Sequence, residues 1–226
     1  MLLSWSGGKD SALALARLRQ SPALEVAGLL TTVTTGYERI SMHGVRRTLL
    51  RRQAESLRLP VHEIEIEPQS SNAAYEAAWA GALQTLPPAL ARARCIAFGD
   101  IFLEDVRQYR ETMAEALGLR PVFPIWGEPT TALAAEVLRS GFAARLVCVD
   151  THALPASFVG RVYDADLIDA LPASVDPCGE RGEFHTFVSA GPGFQAAVDY
   201  RLGETVLRDD RFAYCDLIPE QGMSRT

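Results

Sequence analysis

The sequence predicts an α/β fold: an open, mostly parallel sheet with helices on both faces, followed by a smaller C-terminal α/β domain. Three observations lead there. Short apolar runs alternate with Ala- and Leu-rich helical stretches through the first half. Polar or glycine-bearing signals recur where those runs end: Ser6–Ser11, Thr31-Thr32 and Gly99-Asp100. In a doubly wound sheet those are the strand ends that hold ligands. Beyond the segment Pro121-Val122-Phe123-Pro124-Ile125-Trp126-Gly127 the rhythm changes, which sets the expected domains at 1–126 and 127–226.

Met1–Trp5 reads as a buried strand, and Ala12–Leu18 as a helix of good helix formers. Glu25–Val33 reads as a second strand and Thr34–Met42 as a loop. From Val45 to Leu57 the apolar positions fall at helical spacing, with arginines 46, 47, 51 and 52 largely on a solvated face. Val61–Ile66 alternates as a strand. Asn72–Leu86 is helical until Pro87-Pro88 stops it. Cys95–Asp100 is a buried strand, Glu104–Leu117 a helix with Gly118 as its cap. In the second half, Thr130–Ser140 is a helix and Ala144–Asp150 a strand. Two short helical pieces follow, near Pro155–Val159 and Asp164–Leu171. Phe194–Pro219 is strand-rich, with Leu202-Gly203-Glu204 expected as a turn.

The chain has 226 residues, 48% of them hydrophobic, enough for a substantial core. A net charge of −6 argues against a broad nucleic-acid surface. Four widely spaced cysteines form no CxxC pair, so they read as buried free thiols. No apolar stretch is long enough to span a bilayer, and the first strand begins at Met1, so a soluble cytoplasmic protein without a targeting peptide is expected.

Ser6-Gly7-Gly8-Lys9-Asp10-Ser11 sits at a strand–turn–helix junction. Two glycines admit an anion to the backbone, the helix start offers unpaired N–H groups, and two hydroxyls and an ammonium complete a phosphate cradle. The spacing fits neither the Walker loop nor the dinucleotide fingerprint. Lys9 is the chain's only lysine, and it is expected at an exposed helix start with its charge turned to phosphate. Later in the chain, Glu180, Glu183 and His185 cluster around two glycines. Glu183 and His185 are two apart and would share one strand face. Such groups can ligate magnesium, move protons or recognise substrate, or form a polar loop leading into an edge strand.

These motifs resemble the diphthine–ammonia ligase family of the N-type ATP pyrophosphatases. The resemblance covers nearly the whole chain. It rests on SGGKDS at 6–11, Gly99-Asp100-Ile101 before a helix with Arg107, Arg110 and Glu111, and Pro124-Ile125-Trp126. Its last part, Gly179-Glu180 with Gly182-Glu183-Phe184-His185-Thr186, is similar to the family's GE-x-GEYET signature. It implies a Rossmann-like, HUP-type ATP-binding domain, a C-terminal substrate domain and a cleft between them. ATP with Mg²⁺ would bind at Ser6, Gly7, Gly8, Lys9, Asp10 and Ser11, with Thr31, His43, Gly99 and Asp100 near the nucleotide. Lys9, Asp10, Glu180 and Glu183 would be catalytic. Arg107, Arg110, Glu183, His185 and Thr186 would face the substrate. The metal ligands stay unassigned.

The reaction implied is adenylation of a carboxylate with release of pyrophosphate, then amidation by ammonia or an amine. The carboxylate would be a small molecule or protein-borne, with no nucleic-acid or membrane partner and a homodimer left open. The alternatives are a tRNA-thiolating pyrophosphatase and a nucleotide-binding protein without catalysis. His185 replaces a carboxylate of the signature, which predicts a neutral or anionic acceptor. The arginine- and alanine-rich usage suggests a bacterial source.

Overall fold

The structure, a computed structural model, describes residues 1–36, 38–40 and 44–220. Its first sheet contains β1 (Leu2–Ser4), β2 (Gly28–Thr34), β3 (Arg39–Ile40), β4 (Val61–Ile66), β5 (Cys95–Ala97) and β6 (Arg120–Val122). β4, β2, β1, β5 and β6 lie side by side and parallel. The chain winds outward from β1 through β2 to β4. It then returns past β1 to β5 and β6, so the direction reverses between β1 and β5. In open α/β sheets the crevice outside the strand ends at such a reversal is the binding site.

The helices divide between the faces by their apolar stripes. α1 (Lys9–Gln20) and α2 (Arg47–Leu57) bury Leu13, Leu15, Leu49 and Leu50 with Leu3 and Leu29 of the sheet. α3 (Asn72–Gln84) and α4 (Glu104–Ala116) bury Trp79 and Met113 with Leu2, Leu30 and Ile64 on the other face. Alternation along β1 and β2 feeds both layers.

β3 lies within the stretch expected to be a loop. β1 covers only Gly28–Leu30 of β2, leaving Val33 and Thr34 open on that edge, and β3 pairs with them antiparallel. It extends the sheet beyond the end of β1, where the ligand crevice opens.

The second sheet is antiparallel, in the order β8 (Phe184–Ala190), β7 (Ala143–Asp150), β10 (Phe212–Pro219) and β9 (Tyr200–Arg208). α5 (Thr130–Arg139) and the short α6 (Ala165–Ala170) belong to this half. The expected turn at Leu202-Gly203-Glu204 is instead the middle of β9. The hairpin turns through the three residues Asp209–Arg211, with Asp209 and Asp210 both at positive φ (52° and 49°), the backbone of a primed turn. A Cβ on Gly203 would come within 3.0 Å of Ile218 Cδ1, so that glycine answers cross-strand packing rather than chain reversal. One buried cluster runs from Leu3 and Leu13 through Leu146 and Val188 to Leu217, joining the two halves. Among the described residues no helix is long and apolar enough to cross a membrane.

Candidate functional site

The cradle begins where β1 ends. Trp5 N–H donates to Leu30 O at 2.7 Å, and the next residues turn sharply through Gly7 at φ +79°. A Cβ there would stand 2.7 Å from Gln53 Oε1, so only glycine fits. Gln53 is fully buried on α2. It accepts from Trp5 Nε1 (3.1 Å) and donates through Nε2 to Gly7 O (3.0 Å) and Val188 O (2.6 Å). β8 holds the loop from the other half: Val188 N–H donates to Gly7 O (2.9 Å), and Lys9 N–H donates to Thr186 Oγ1 (3.0 Å).

The first rung of α1 is Ala12 N–H to Gly8 O (3.1 Å), and the N-cap Gly8 supplies no side chain. The N–H groups of Lys9, Asp10 and Ser11 therefore lie outside the helical ladder. Thr186 takes the first, which leaves two at the positive helix end. Beside them the hydroxyls of Ser6 and Ser11 lie 3.2 Å apart. Gly99, after β5, closes over the same turn. A Cβ there would be 3.0 Å from Asp10 C and Ser11 N.

This turn opens into a cleft of about 1110 Å³ shared by both sheets. Ser6, Lys9, Asp10 and Ser11 line it, as do Gly99, Asp100 and Arg110 from the first half. Glu180, His185 and Thr186 line it from the second. These are ten of the expected site residues, drawn together from distant stretches of chain.

The ammonium of Lys9 does not sit at an exposed helix start. Lys9 is 1% exposed, and Nζ bonds both oxygens of Asp10 (2.9 Å each) and the carbonyl of Cys178. The rings of Phe184 and Tyr163 flank it at 5.4 and 5.6 Å. Burial is the largest single influence and works against its charge, but Asp10, with Cys178 and Glu180 adding to it, outweighs burial and the pKa is raised. Lys9 therefore stays charged and fastens the loop to the second half.

Glu180 also spans the halves. Its Oε1 accepts from Ile101 N–H (2.7 Å) and Phe102 N–H (3.3 Å), while Oε2 has no hydrogen-bond partner among the described residues. Burial pushes its pKa up to about 7, against the pull of those two donors. Asp100 is likewise raised by burial, partly offset by Arg110, whose Nε lies 3.9 Å from it. Arg110 also lies 5.3 Å over the Phe98 ring and donates to Tyr75 Oη at 3.3 Å. Burial lowers the pKa of His185 to about 4, with Lys9 adding to the effect, so the imidazole is neutral near pH 7.

Five expected residues do not line the cleft. Gly7 and Gly8 shape the turn from behind. Thr31 points into the α1–α2 layer, buried with no partner for its hydroxyl; Thr32 and Thr34, on the opposite face of β2, reach the cleft instead. Glu183 precedes β8 and does not share a cleft-facing side with His185. Its oxygens accept from Asp176 N–H (3.0 Å) and Arg181 N–H (2.9 Å), closing its own loop. Arg107 lies over the rings of Trp126 and Phe123 (4.7 and 5.1 Å) and pairs with Glu111. His43 lies outside the described residues. Gln53, Arg39 and Asp216 went unrecognised in the sequence. Gln53 had a signal, since it occupies the apolar stripe of α2 with Leu49, Leu50 and Leu57.

A parallel sheet with a glycine-built turn at its reversal point, roofed by a second sheet, defines a Rossmann-like α/β protein with a cleft shared by its two sheets. The chain belongs to the diphthamide synthase family: the model of the diphthamide synthase N-terminal domain matches residues 1–121, and that of the C-terminal domain matches 129–216. A diphthine–ammonia ligase from Danio rerio is 31% identical over 120 residues, covering 49% of this chain and 46% of the relative. The match thus spans about half the length of that curated protein. A solved structure titled as a predicted subunit of tRNA methyltransferase from Methanocaldococcus jannaschii aligns with a TM-score of 0.44 and 18% identity, over 85% of this chain and 97% of that one.

Proposed function

We propose that the chain is an ATP-dependent ligase that activates a carboxylate and amidates it with ammonia or an amine, on a HUP-type nucleotide domain. The observation that carries this reading is the anion turn at Ser6–Ser11 opening into the same cleft as Glu180 and His185. ATP, when bound, supplies the adenylyl group, so that pyrophosphate leaves on activation and AMP leaves on amidation.

The residues present fit a pyrophosphate. The Asp10 and Ser11 N–H groups at the end of α1 lie at the turn that Gly99 packs against, with the Ser6 hydroxyl beside them, while Ser11 Oγ donates to Gly8 O (3.0 Å) and braces the turn. Preorganised donors of this kind are worth roughly 3 kcal/mol each toward developing charge. Among the described residues no three acidic, histidine or cysteine side chains form a metal cluster. Magnesium would then ride on the phosphates, with one or two of Asp10, Asp100 and Glu180 as protein ligands. Glu180 Oε2 is suited to take a proton from the incoming amine, because a carboxylate with a pKa of about 7 both accepts and releases protons near neutrality. The thiols do not favour thiolation: burial pushes Cys178 up to about 12 and Cys148 to about 11, so both stay protonated.

The test is product analysis with ATP, ammonia and a panel of carboxylic acids. AMP and pyrophosphate are expected; ADP and orthophosphate would overturn the reading.

A further inference from the structure

We infer that the acceptor is a diacid, and that Arg39 on β3 binds its second acidic group. The inference rests on the ligase reading for which of the two acidic groups reacts, but the binding site stands on its own geometry. Arg39 lines the same cleft as the anion turn, on the wall built by β3 and β10. Its Nη1 donates to Gly44 O (2.7 Å) and to Asp216 Oδ1 (3.0 Å). Those two bonds hold the guanidinium in place. Its Nε and Nη2 have no hydrogen-bond partner among the described residues.

Nε and Nη2 form the side-on edge that grips a carboxylate with two parallel bonds. Arg46 shows that use here: its Nε and Nη2 take Asp216 Oδ1 (3.0 Å) and Oδ2 (2.6 Å). Asp216 therefore has both oxygens occupied, and two guanidiniums share one carboxylate. One positive charge is left over at this wall. His185, on the same cleft, adds no charge near neutrality. Arg208 lies 5.6 Å over the Tyr214 ring beside it, and Asp209 is exposed at the hairpin turn. A cationic tail would meet the Arg39 guanidinium, whereas a carboxylate would complete its fork.

The experiment compares malonate, succinate, glutarate and adipate with butyrate and 4-trimethylammoniobutyrate, in wild type, Arg39→Met and Arg39→Lys. AMP release and binding by calorimetry with a non-hydrolysable ATP analogue are both measured. One of the diacids is expected to be preferred over butyrate by about tenfold or more in kcat/KM, with the trimethylammonium acid poorest. Both variants should collapse that preference through KM. Lysine keeps the charge and the pairing with Asp216 but lacks the fork, so failure of Arg39→Lys to restore selectivity separates recognition from folding. Preference for the cationic acid, or an unchanged diacid-to-butyrate ratio in both variants, would overturn the inference. If no acid releases AMP, the ligase reading falls. Diacid binding that is lost in Arg39→Met would still uphold the site, and absence of Arg39-dependent binding would overturn it.

Discussion

At Lys9 the decisive fact is which atoms the ammonium touches. Both oxygens of Asp10 and the Cys178 carbonyl surround it, and only 1% of the residue is exposed. Replacing it with methionine leaves Asp10 without its counter-charge, and 29% of the Asp10 side chain remains in solvent to soften the loss. Breaking such a pair costs about 3 kcal/mol, at the low end for buried ion pairs because of that exposure. Lys9→Met should therefore lower the urea midpoint as well as turnover; an unchanged midpoint would show that the pair contributes nothing to folding. The sequence identified this residue but not its direction, since one lysine beside two glycines reads the same whether it faces phosphate or protein. Thr31 and Glu183 were misplaced for related reasons. A single step of strand parity sends Thr31 to the core and Thr32 to the cleft, and composition does not reveal which of two adjacent threonines faces which way. Glu183 satisfies backbone donors of its own loop, a closure visible only once the loop is folded.

The element that matters most to the cradle is the pairing of β1 with β5, because it brings Gly99 onto the first turn of α1. Gly99→Ala places a methyl 3.0 Å from backbone atoms of Asp10 and Ser11, which are not flexible side-chain ends that can swing aside. The helix start must shift by a few tenths of an ångström, and the donors it aims at an anion shift with it. We expect ATP affinity to fall by about tenfold, or about 1.4 kcal/mol, with the urea midpoint much less affected. Titration calorimetry checks this, and wild-type affinity in Gly99→Ala would remove that contact from the binding site. Strands and helices of the first half were legible because their periodicity is strong and their stops are Gly and Pro. β3 was not, since two residues carry no period and its pairing depends on where β1 happens to end. The β9–β10 hairpin was misread because Gly203 resembles a turn residue, whereas the aspartates at positive φ lie six and seven positions further on.

Across the whole molecule the two halves are tied by a shared apolar cluster and by charged or polar groups that cross the cleft, Glu180 and Lys9 among them. This makes global stability sensitive to protonation inside the cleft. Glu180 moves from an ordinary 4.5 to about 7, so between those values the native state holds a proton that the unfolded chain has released. Its contribution to stability therefore falls as pH rises through that window. His185 moves the other way, from 6.5 to about 4. In that window the unfolded chain holds a proton that the native imidazole refuses, and stability rises with pH. The windows overlap between pH 4.5 and 6.5, where the two slopes oppose each other. Removing either residue should expose the other. Relative to wild type, Glu180→Gln should gain stability more steeply as pH rises across that overlap, and His185→Gln should lose it. Urea midpoints measured across the overlap compare the three proteins directly, and because other titrating groups are common to all of them, only the differences matter. Three parallel curves would mean that neither group is shifted on folding, and the proton-accepting role given to Glu180 would fall with them.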